Sequence, residues 1–600
     1  MSFQKLLRVT STTKNAANKA FFSCNSKISN AYKTPDGRLT ALGAAIEAER
    51  CLLCVDAPCA KACPADTKPD KFLRQLRFEN PLGAAETVLD NNPLGGVCGT
   101  VCPVSKLCEG ACTRKAIDGP VRIGAVQRYL HDLGIAEKLE LPPVPKATGH
   151  KTAVIGAGPA GLAAARELAR RGSQVTVFER RRQAGGALRY ALSPIRVSHE
   201  LVDQEVKRIE EMGVKFQFNS NISDIATIMK NGEFDAMFVS PGLQSSRQVD
   251  IKNQNENHWK THGIAGALTF LDSANSLKAE LATQMSKNKH VIIIGGGSVA
   301  MDCAITAKAL GALSIHIIAR EKMLDLPADE EEVVLAREIG AIIHPEAEVT
   351  EVSGTNIVHF RSLELRKDGT VSDLHATLEA SSIIVAAGQM LDTEGRELIK
   401  GNPKEGIIIK SISNEASLNA PTGGKKPVFV GGDAVRGGGD TVVRAVADGK
   451  RAAIEILPNQ PVAPRERPSL EMDFVGIKWE NPFTLSSSPV TNTAEMIARA
   501  YDAGFGGSYF KTLNREDKFS ISHPSPRLGV VHANHGGMDI GIQNMEQISD
   551  RPLAENLADI AWLRKTYPTK ISAVSIMGYC DEDWDYLARA AEVSENNSNC

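Results

Sequence analysis

The chain has 600 residues, 69 Lys and Arg against 71 Asp and Glu, and aromatic residues at only 5%. A balance this even gives no dominant basic face for nucleic acid. The longest apolar stretch, around 291–319, contains Asp302, Lys308 and three consecutive glycines, so it reads as strand–turn–helix–strand and not as a membrane span.

The length predicts about four domains. Residues 1–35 carry Lys5, Arg8, Lys14, Lys19, Lys27 and Lys33, many Ser, Thr and Asn, and no acid before Asp36. That composition resembles a mitochondrial transit peptide, and a disordered basic tail fits it equally. The expected compartment is the cytoplasm, with the mitochondrion as the alternative.

Residues 36–140 read as helical segments interrupted by cysteines. Of 12 cysteines, eight lie between 51 and 112, in "CLLCVDAPCAKACP" and "VCGTVCPVSKLCEGAC". A disulfide scaffold suits a short secreted domain, which this is not. Structural zinc suits the spacings. Cys-x2-Cys-x4-Cys-x3-Cys-Pro also resembles a ferredoxin run, in which the fourth cysteine serves the other cluster. The redox motifs downstream favour iron–sulfur.

"LPPVPKATGHK" (141–151) is a proline-rich linker. "TAVIGAGPAGLAAARELARRGSQVTVFER" then gives a strand, the turn Gly156-x-Gly158-x-x-Gly161, a helix, and a second strand ending at Glu179. The glycines let backbone approach a pyrophosphate at the helix N-terminus, and Glu179 is placed for a ribose hydroxyl. Gly185 and Gly186, as in a flavin double-glycine turn, favour FAD. So does "VFVGGDAVRGGGDTVVRAVADGKRAA", which resembles a second flavin signature with Asp433 at the ribityl chain and Thr441 opening the last helix.

"HVIIIGGGSVAMDCAITAKALGALSIHIIAR" repeats the pattern with Gly295, Gly297 and Ala300. It ends in Arg320, where an acid would bind a 2′-hydroxyl. Arginine accepts a 2′-phosphate through charge-assisted bonds, each worth roughly 1.5–3 kcal/mol, so NADPH is the expected donor. This module lies between the two flavin segments. "LPNQPVAPRERPS" marks a second linker, and strand-like segments and an amphipathic helix follow it.

Residues 36–457 resemble the N-terminal half of dihydropyrimidine dehydrogenase and the small subunit of bacterial glutamate synthase. "GIKWENPFTLSSSPVTNTAEMIARAYDAGFGGSYFKTL" and "SPRL" resemble the start of the FMN barrel of the former. The resemblance implies one 4Fe-4S cluster on Cys51, Cys54, Cys59 and Cys112. A second would sit on Cys63, Cys102, Cys108 and the amide of Gln127, leaving Cys98 a bystander that thiol spacing alone would have chosen. It assigns Arg196, with Glu179, Gly185, Gly186 and Thr441, to FAD. It assigns Gly296, Gly297, Ser298, Val299, Arg320 and Gly388 to NADPH. Ser487, Lys511 and Thr512 would contact FMN, and Asn544 and Glu546 would lie near the pyrimidine. The family's second 2′-phosphate arginine is Pro327 here, with Lys322 as a compensating candidate.

The fold class implied is multidomain α/β. A leader (1–35) precedes a helical iron–sulfur domain (36–145). An FAD domain (146–270 and 391–460) carries an inserted NADPH domain (271–390), both Rossmann-like, and the beginning of an FMN-binding TIM barrel follows (461–600). The barrel is expected to stop after about three strands of the eight a closed barrel needs, before the family's general-acid cysteine, for which Cys600 comes too early. The implied activity is NADPH-dependent reduction of the 5,6 double bond of uracil and thymine by a homodimer, incomplete in this chain. An NAD(P)H-oxidising electron-transfer subunit and a non-catalytic truncated product are the alternatives.

Overall fold

A computed structural model describes Tyr32, Thr34 and most of residues 37–596, without 231–232, 250, 252–262, 277–278, 354–356, 366–370, 401–408, 413–426, 437–438, 440, 466–468, 518–527, 533–538 and 545–547. The leader expected over 1–35 lies outside the described residues, those two apart. The chain forms two compact units, Met1–Arg465 and Glu466–Cys600.

The first unit opens with helices α1 (Ala41–Glu49), α2 (Pro69–Arg77), α3 (Pro81–Asn91), α4 (Gly95–Val101) and α5 (Ile123–Ala136). Their starts are written locally. Thr40 caps α1 by accepting Gly43 N–H, Asn80 caps α3 by accepting Gly83 N–H, and prolines occupy the first positions of α2 and α3. Phe72, Leu73, Leu76, Val88, Val126 and Leu130 form their shared core, and Cys51, Cys59, Cys108 and Cys112 pack against it.

Next come β1 (Lys151–Ile155), α6 (Pro159–Ala169), β2 (Gln174–Phe178), α7 (His199–Glu211), β3 (Lys215–Gln217) and β4 (Ala236–Val239). The chain then leaves this sheet. It builds β5 (Ile264–Gly266), α8 (Ala267–Ala274), β6 (His290–Ile294), α9 (Ser298–Ala309), β7 (Ser314–Ile318), α10 (Glu330–Glu338) and β8 (Ile342–His344). β9 (Ala347–Ser353), β10 (Ile357–Leu365) and β11 (Val371–Glu379) form an antiparallel sheet of their own, and β12 (Ser382–Val385) returns to β6. β13 (Ile409–Ser411), β14 (Val428–Val430) and α11 (Val442–Ile456) then rejoin the first sheet.

The first sheet has the order β13-β14-β4-β1-β2-β3 and the second β5-β12-β6-β7-β8, both parallel. One nucleotide-binding sheet is thus inserted into another. β5 already pairs in the second sheet, ahead of the expected start at 271; three residues are too few for a strand pattern to be read from sequence. The two crossings between modules pair as Ser245–Ser246 with Gln389–Met390.

Both faces of β1 are buried, as parallel strands require. Val154 faces α6 and α11 with Leu162, Leu168 and Val446, while Ala153 and Ile155 face Phe178, Phe234 and Met237. The larger of these side chains, such as Val154 and Leu162, each contribute about 1.5–3 kcal/mol when fully buried.

In the second unit β15 (Thr484–Leu485), α12 (Ala494–Asp502) and β16 (Gly507–Leu513) precede a hairpin of β17 (Leu528–His532) and β18 (Asp539–Asn544). α13 (Leu553–Thr566), β19 (Ile571–Ile576) and α14 (Asp581–Asn596) follow. β15, β16 and β19 are parallel neighbours in that order, with helices between them. Among the described residues no helix is long and apolar enough to cross a membrane.

Candidate functional site

The eight clustered cysteines separate into two groups. Cys51, Cys54, Cys59 and Cys112 line one concavity, with Leu73, Val121 and Ile123 behind them. Burial pushes the Cys59 thiol up to about 12, and the neighbouring Cys112 and Cys51 thiols push the same way. Four cysteine sulfurs around one concavity are a donor set that a cationic iron–sulfur group fits. The other group is Cys63, Cys98, Cys102 and Cys108. Burial raises Cys102, and the Cys98, Cys108 and Cys63 sulfurs beside it add to the rise.

Cys98 and Gln127 are both buried. The Cys98 thiol is hydrogen-bonded to the side chain of Asn92, whose Oδ1 accepts Leu94 N–H at 2.9 Å. Gln127 donates Nε2–H to the Gly95 carbonyl at 2.7 Å, so its Oε1 is the side-chain atom with acceptor lone pairs. Beside it, Glu205 accepts Gly96 N–H at 2.7 Å and lies 3.5 Å from His131 Nε2.

In the flavin module the glycines are needed for closeness. A Cβ on Gly161 would stand 1.9 Å from the Gly156 carbonyl, and one on Gly186 would stand 2.7 Å from Gly158 Cα. The double-glycine turn therefore lies directly over the first turn, and the Gly185 N–H donates to the Ala157 carbonyl at 2.8 Å. Glu179 accepts Ala157 N–H and Arg181 N–H, both at 2.8 Å, which orients its carboxylate at the strand end. Asp433 sits in the turn after β14, where Asp448 accepts Gly432 N–H at 2.9 Å and pairs with Arg436 at 2.6 Å. Thr441 caps α11. These features form a cradle that fits a dinucleotide such as FAD.

One cleft of about 1230 Å3 joins the modules. This exceeds the roughly 300–1,000 Å3 of a site for one small molecule. From the flavin module it is lined by Gly156, Gly158, Glu179, Gly186, Asp433 and Thr441. The inserted module supplies Gly296, Gly297, Ser298, Val299, Arg320 and Gly388 to the same cleft, and Pro103, Lys106 and Leu107, between Cys102 and Cys108, form part of its wall. Gly161, Gly185 and Arg196 are not among its lining residues.

Arg320 and Arg196 are placed differently from a simple nucleotide ligand. Arg320 Nη2 lies 2.6 Å from Glu348 Oε1. Arg196 joins the modules, with Nη1 2.9 Å from Asp302 and Nη2 2.7 Å from Glu332. Two further ion pairs hold the inserted module, Arg181–Asp272 at 2.9 Å and Lys106–Asp329 at 2.8 Å. Sequence reasoning missed Lys106, Glu321, Glu348 and Asp302, because nothing in their local pattern marks them.

In the second unit Ser487, Lys511 and Thr512 gather at the carboxyl ends of β15 and β16. Thr512 Oγ1 lies 3.4 Å from Ser487 Oγ and 2.9 Å from Ser575 Oγ on β19, and Lys511 is buried. Asn544 ends β18, opposite Leu528. Glu546 lies outside the described residues.

Residues 28–139 match the family described as dihydropyrimidine dehydrogenase domain II, 4Fe-4S cluster. Residues 150–449 match pyridine nucleotide-disulphide oxidoreductase. The NAD-dependent dihydropyrimidine dehydrogenase subunit PreT of Escherichia coli (strain K12) is 37% identical over 415 residues, 69% of this chain and 93% of that protein. The PreT homolog of Salmonella typhi is 36% identical over 415 residues, 69% of this chain and 94% of that protein. A solved structure of Mycobacterium tuberculosis FprA in complex with NADPH is 17% identical, covering 52% of this chain and 85% of that one at a TM-score of 0.41. With one domain matched to an iron–sulfur family, half its length to a flavoprotein reductase family, and relatives aligned almost end to end, the chain belongs to the oxidoreductase family of the PreT-type dihydropyrimidine dehydrogenase subunits.

Proposed function

We propose that the chain oxidises a reduced pyridine nucleotide at an FAD and passes the electrons, through two 4Fe-4S clusters, towards reduction of the 5,6 double bond of a pyrimidine such as uracil or thymine. The observation that carries this reading is the shared cleft. It brings the two glycine turns and the segment between Cys102 and Cys108 against one space. When bound, FAD supplies the conversion of a two-electron hydride into single electrons.

The chain's own residues bind and orient. The glycine turns would admit the pyrophosphates, Glu179 would receive a ribose, and Asp433 and Thr441 would hold the ribityl and phosphate portion of FAD. Cys63, Cys102, Cys108 and Gln127 are proposed to hold the cluster nearer the cleft. Leu107 lies in the cleft wall, and Cys63, Cys102 and Leu107 pack against the flavin module's core. Cys51, Cys54, Cys59 and Cys112 are proposed to hold the other, against the helical core.

The second unit is read as the start of an FMN-binding barrel. Its support is three adjacent parallel strands with polar side chains at their carboxyl ends, where such barrels place their sites. Pyrimidine contact by Asn544 and Glu546, and assembly as a homodimer, belong to the same reading. The alternative is a reductase subunit that feeds a separate partner, favoured by the word "subunit" in the names of relatives that align almost end to end.

Anaerobically purified protein should oxidise NADH or NADPH with ferricyanide as acceptor. Bound FAD without such turnover would overturn the reading. Dihydrouracil formed from uracil by this chain alone would favour the first version, and formation only after adding a partner flavoprotein the second.

A further inference from the structure

Helix α3 (Pro81–Asn91) ends against the flavin module, where three cations receive its last carbonyls. Arg166 of α6 donates Nη2–H to the Leu89 and Asp90 carbonyls at 2.6 and 2.8 Å. Arg170, one turn on, donates to the Asp90 carbonyl at 3.0 Å. Lys450 of α11 donates from Nζ to the Asn91 carbonyl at 3.0 Å. Carbonyls at a helix end carry partial negative charge, so cations are stabilising there.

Lys450 reaches further than the two arginines. Its Nζ also donates to the carbonyl of Ala65, close after Cys63, at 2.6 Å. Thr67 N–H donates to the Cys63 sulfur at 3.5 Å, and the Cys63 thiol donates to Thr67 Oγ1 at 3.4 Å. Asn92 donates Nδ2–H to the same Thr67 oxygen at 3.2 Å, and its side chain bonds the Cys98 thiol. One ammonium thus ties the Cys63 run to the segment that leads into Cys98 and Cys102.

The charge of that ammonium is only partly offset. Glu167, the acid that acts most on it, is already held by Arg166 at 3.4 Å and Arg170 at 3.2 Å. Asp66 is exposed and pairs with Lys68 at 2.8 Å. The helix that carries Lys450 also carries the flavin end of the path. Thr441, Arg444 and Ala445, in its first turn, line the cleft. Lys450 stands roughly 13 Å further along the same helix.

We propose that Lys450 raises the electron affinity of the cluster at Cys63, Cys102 and Cys108, and so draws electrons to it from the reduced flavin. Cluster potentials respond to nearby charge and to hydrogen bonds at the sulfurs. A fixed positive charge stabilises the reduced cluster, which is the more negative state. The step moves one electron from flavin to cluster, and no covalent bond of the protein changes. Lys450 is a positioning residue that acts through the cluster's ligands. The inference rests on the cluster reading of these cysteines, and it holds with either Gln127 or Cys98 as fourth ligand.

The test is electron paramagnetic resonance during reductive titration of the anaerobic holoprotein with titanium(III) citrate. Lys450→Met removes the charge at similar length. It should shift the reduction equilibrium of one cluster by roughly tenfold or more towards the oxidised state, about 59 mV for one electron. The other cluster should move less. Lys450→Arg should stay within about threefold of the native equilibrium. Unchanged midpoints in Lys450→Met with native iron, or an equal fall in Lys450→Arg, would overturn the inference. So would a native cluster that titanium(III) fails to reduce. If Lys450→Met loses iron, Lys450→Gln, whose amide can still bond one carbonyl, should show the lowered midpoint. Iron lost from both neutral variants would make Lys450 a packing residue and overturn the inference. Zinc without acid-labile sulfide in the native chain would overturn the cluster reading, and this inference with it.

Discussion

Arg196 of the flavin module and Asp302 of the inserted module form an ion pair, Nη1 to Oδ2 at 2.9 Å, with Asp302 fully buried. Glu332 approaches the other Nη at 2.7 Å, so one guanidinium holds two acids of the neighbouring module. Ser193 N–H donates to Asp302 Oδ1 at 3.4 Å, and Thr306 Oγ1 bonds Ser193 Oγ at 3.0 Å. Burial pushes the Asp302 carboxyl up to about 6, against the pull of Arg196.

Arg196→Met should therefore leave Asp302 and Glu332 facing each other uncompensated. Removing one partner of such a buried pair costs about 3–5 kcal/mol. The expected result is a lower unfolding midpoint and slower flavin reduction in stopped flow, with FAD retained. Loss of FAD at unchanged stability would mean that Arg196 acts on the flavin directly.

A pH dependence follows from Glu205. Complete burial pushes its carboxyl up to about 7, with His131, the Gly96 and Val97 N–H groups and Arg128 opposing. A folded-state value above the unfolded one means that the native state keeps this proton longer. Its stability is then whole below about pH 4.5 and falls as pH rises towards 7, by up to about 3 kcal/mol. Glu205→Gln should match the parent at pH 4 and exceed it in thermal midpoint at pH 8. An equal difference at both pH values would show that the carboxyl ionises normally.

The cysteine partition can be read from metal content. Two four-iron clusters predict about eight iron and about eight acid-labile sulfide per chain. Cys98→Ala should keep both values, whereas Gln127→Ala should lower or alter one cluster's signal in electron paramagnetic resonance. The opposite pattern would make Cys98 the fourth ligand. Stoichiometric zinc without sulfide would remove the cluster reading.

Gly186→Ala probes the flavin cradle. Its methyl group would stand 2.7 Å from Gly158 Cα, and the residue's φ of 54° already disfavours a side chain. FAD occupancy, read from the ratio of flavin to protein absorbance, should fall roughly tenfold or more, since backbone must move on one side of the pyrophosphate. Retained iron would confirm that the helical region still folds. Unchanged occupancy would mean that the dinucleotide does not pass between these glycines.

The sequence alone determined those features whose cause is local. The turn at Gly156, Gly158 and Gly161, the strand ending before Glu179, and the repeat at Gly295 to Ala300 each depend on sterics within about one strand–turn–helix unit. For the same reason Thr40 and Asn80 could cap their helices. Tertiary structure decided what depends on charges and thiols brought together from afar. Cys112 joins Cys51, Cys54 and Cys59 only because the helices fold back on one core, and Arg196 finds Asp302 across 106 positions. Arg320 reads as a free phosphate ligand until β9 places Glu348 beside it. A side chain's type is written in the sequence, but its partner in a low-dielectric interior is set by which strands and helices pack together, and that partner decides its charge and its chemistry.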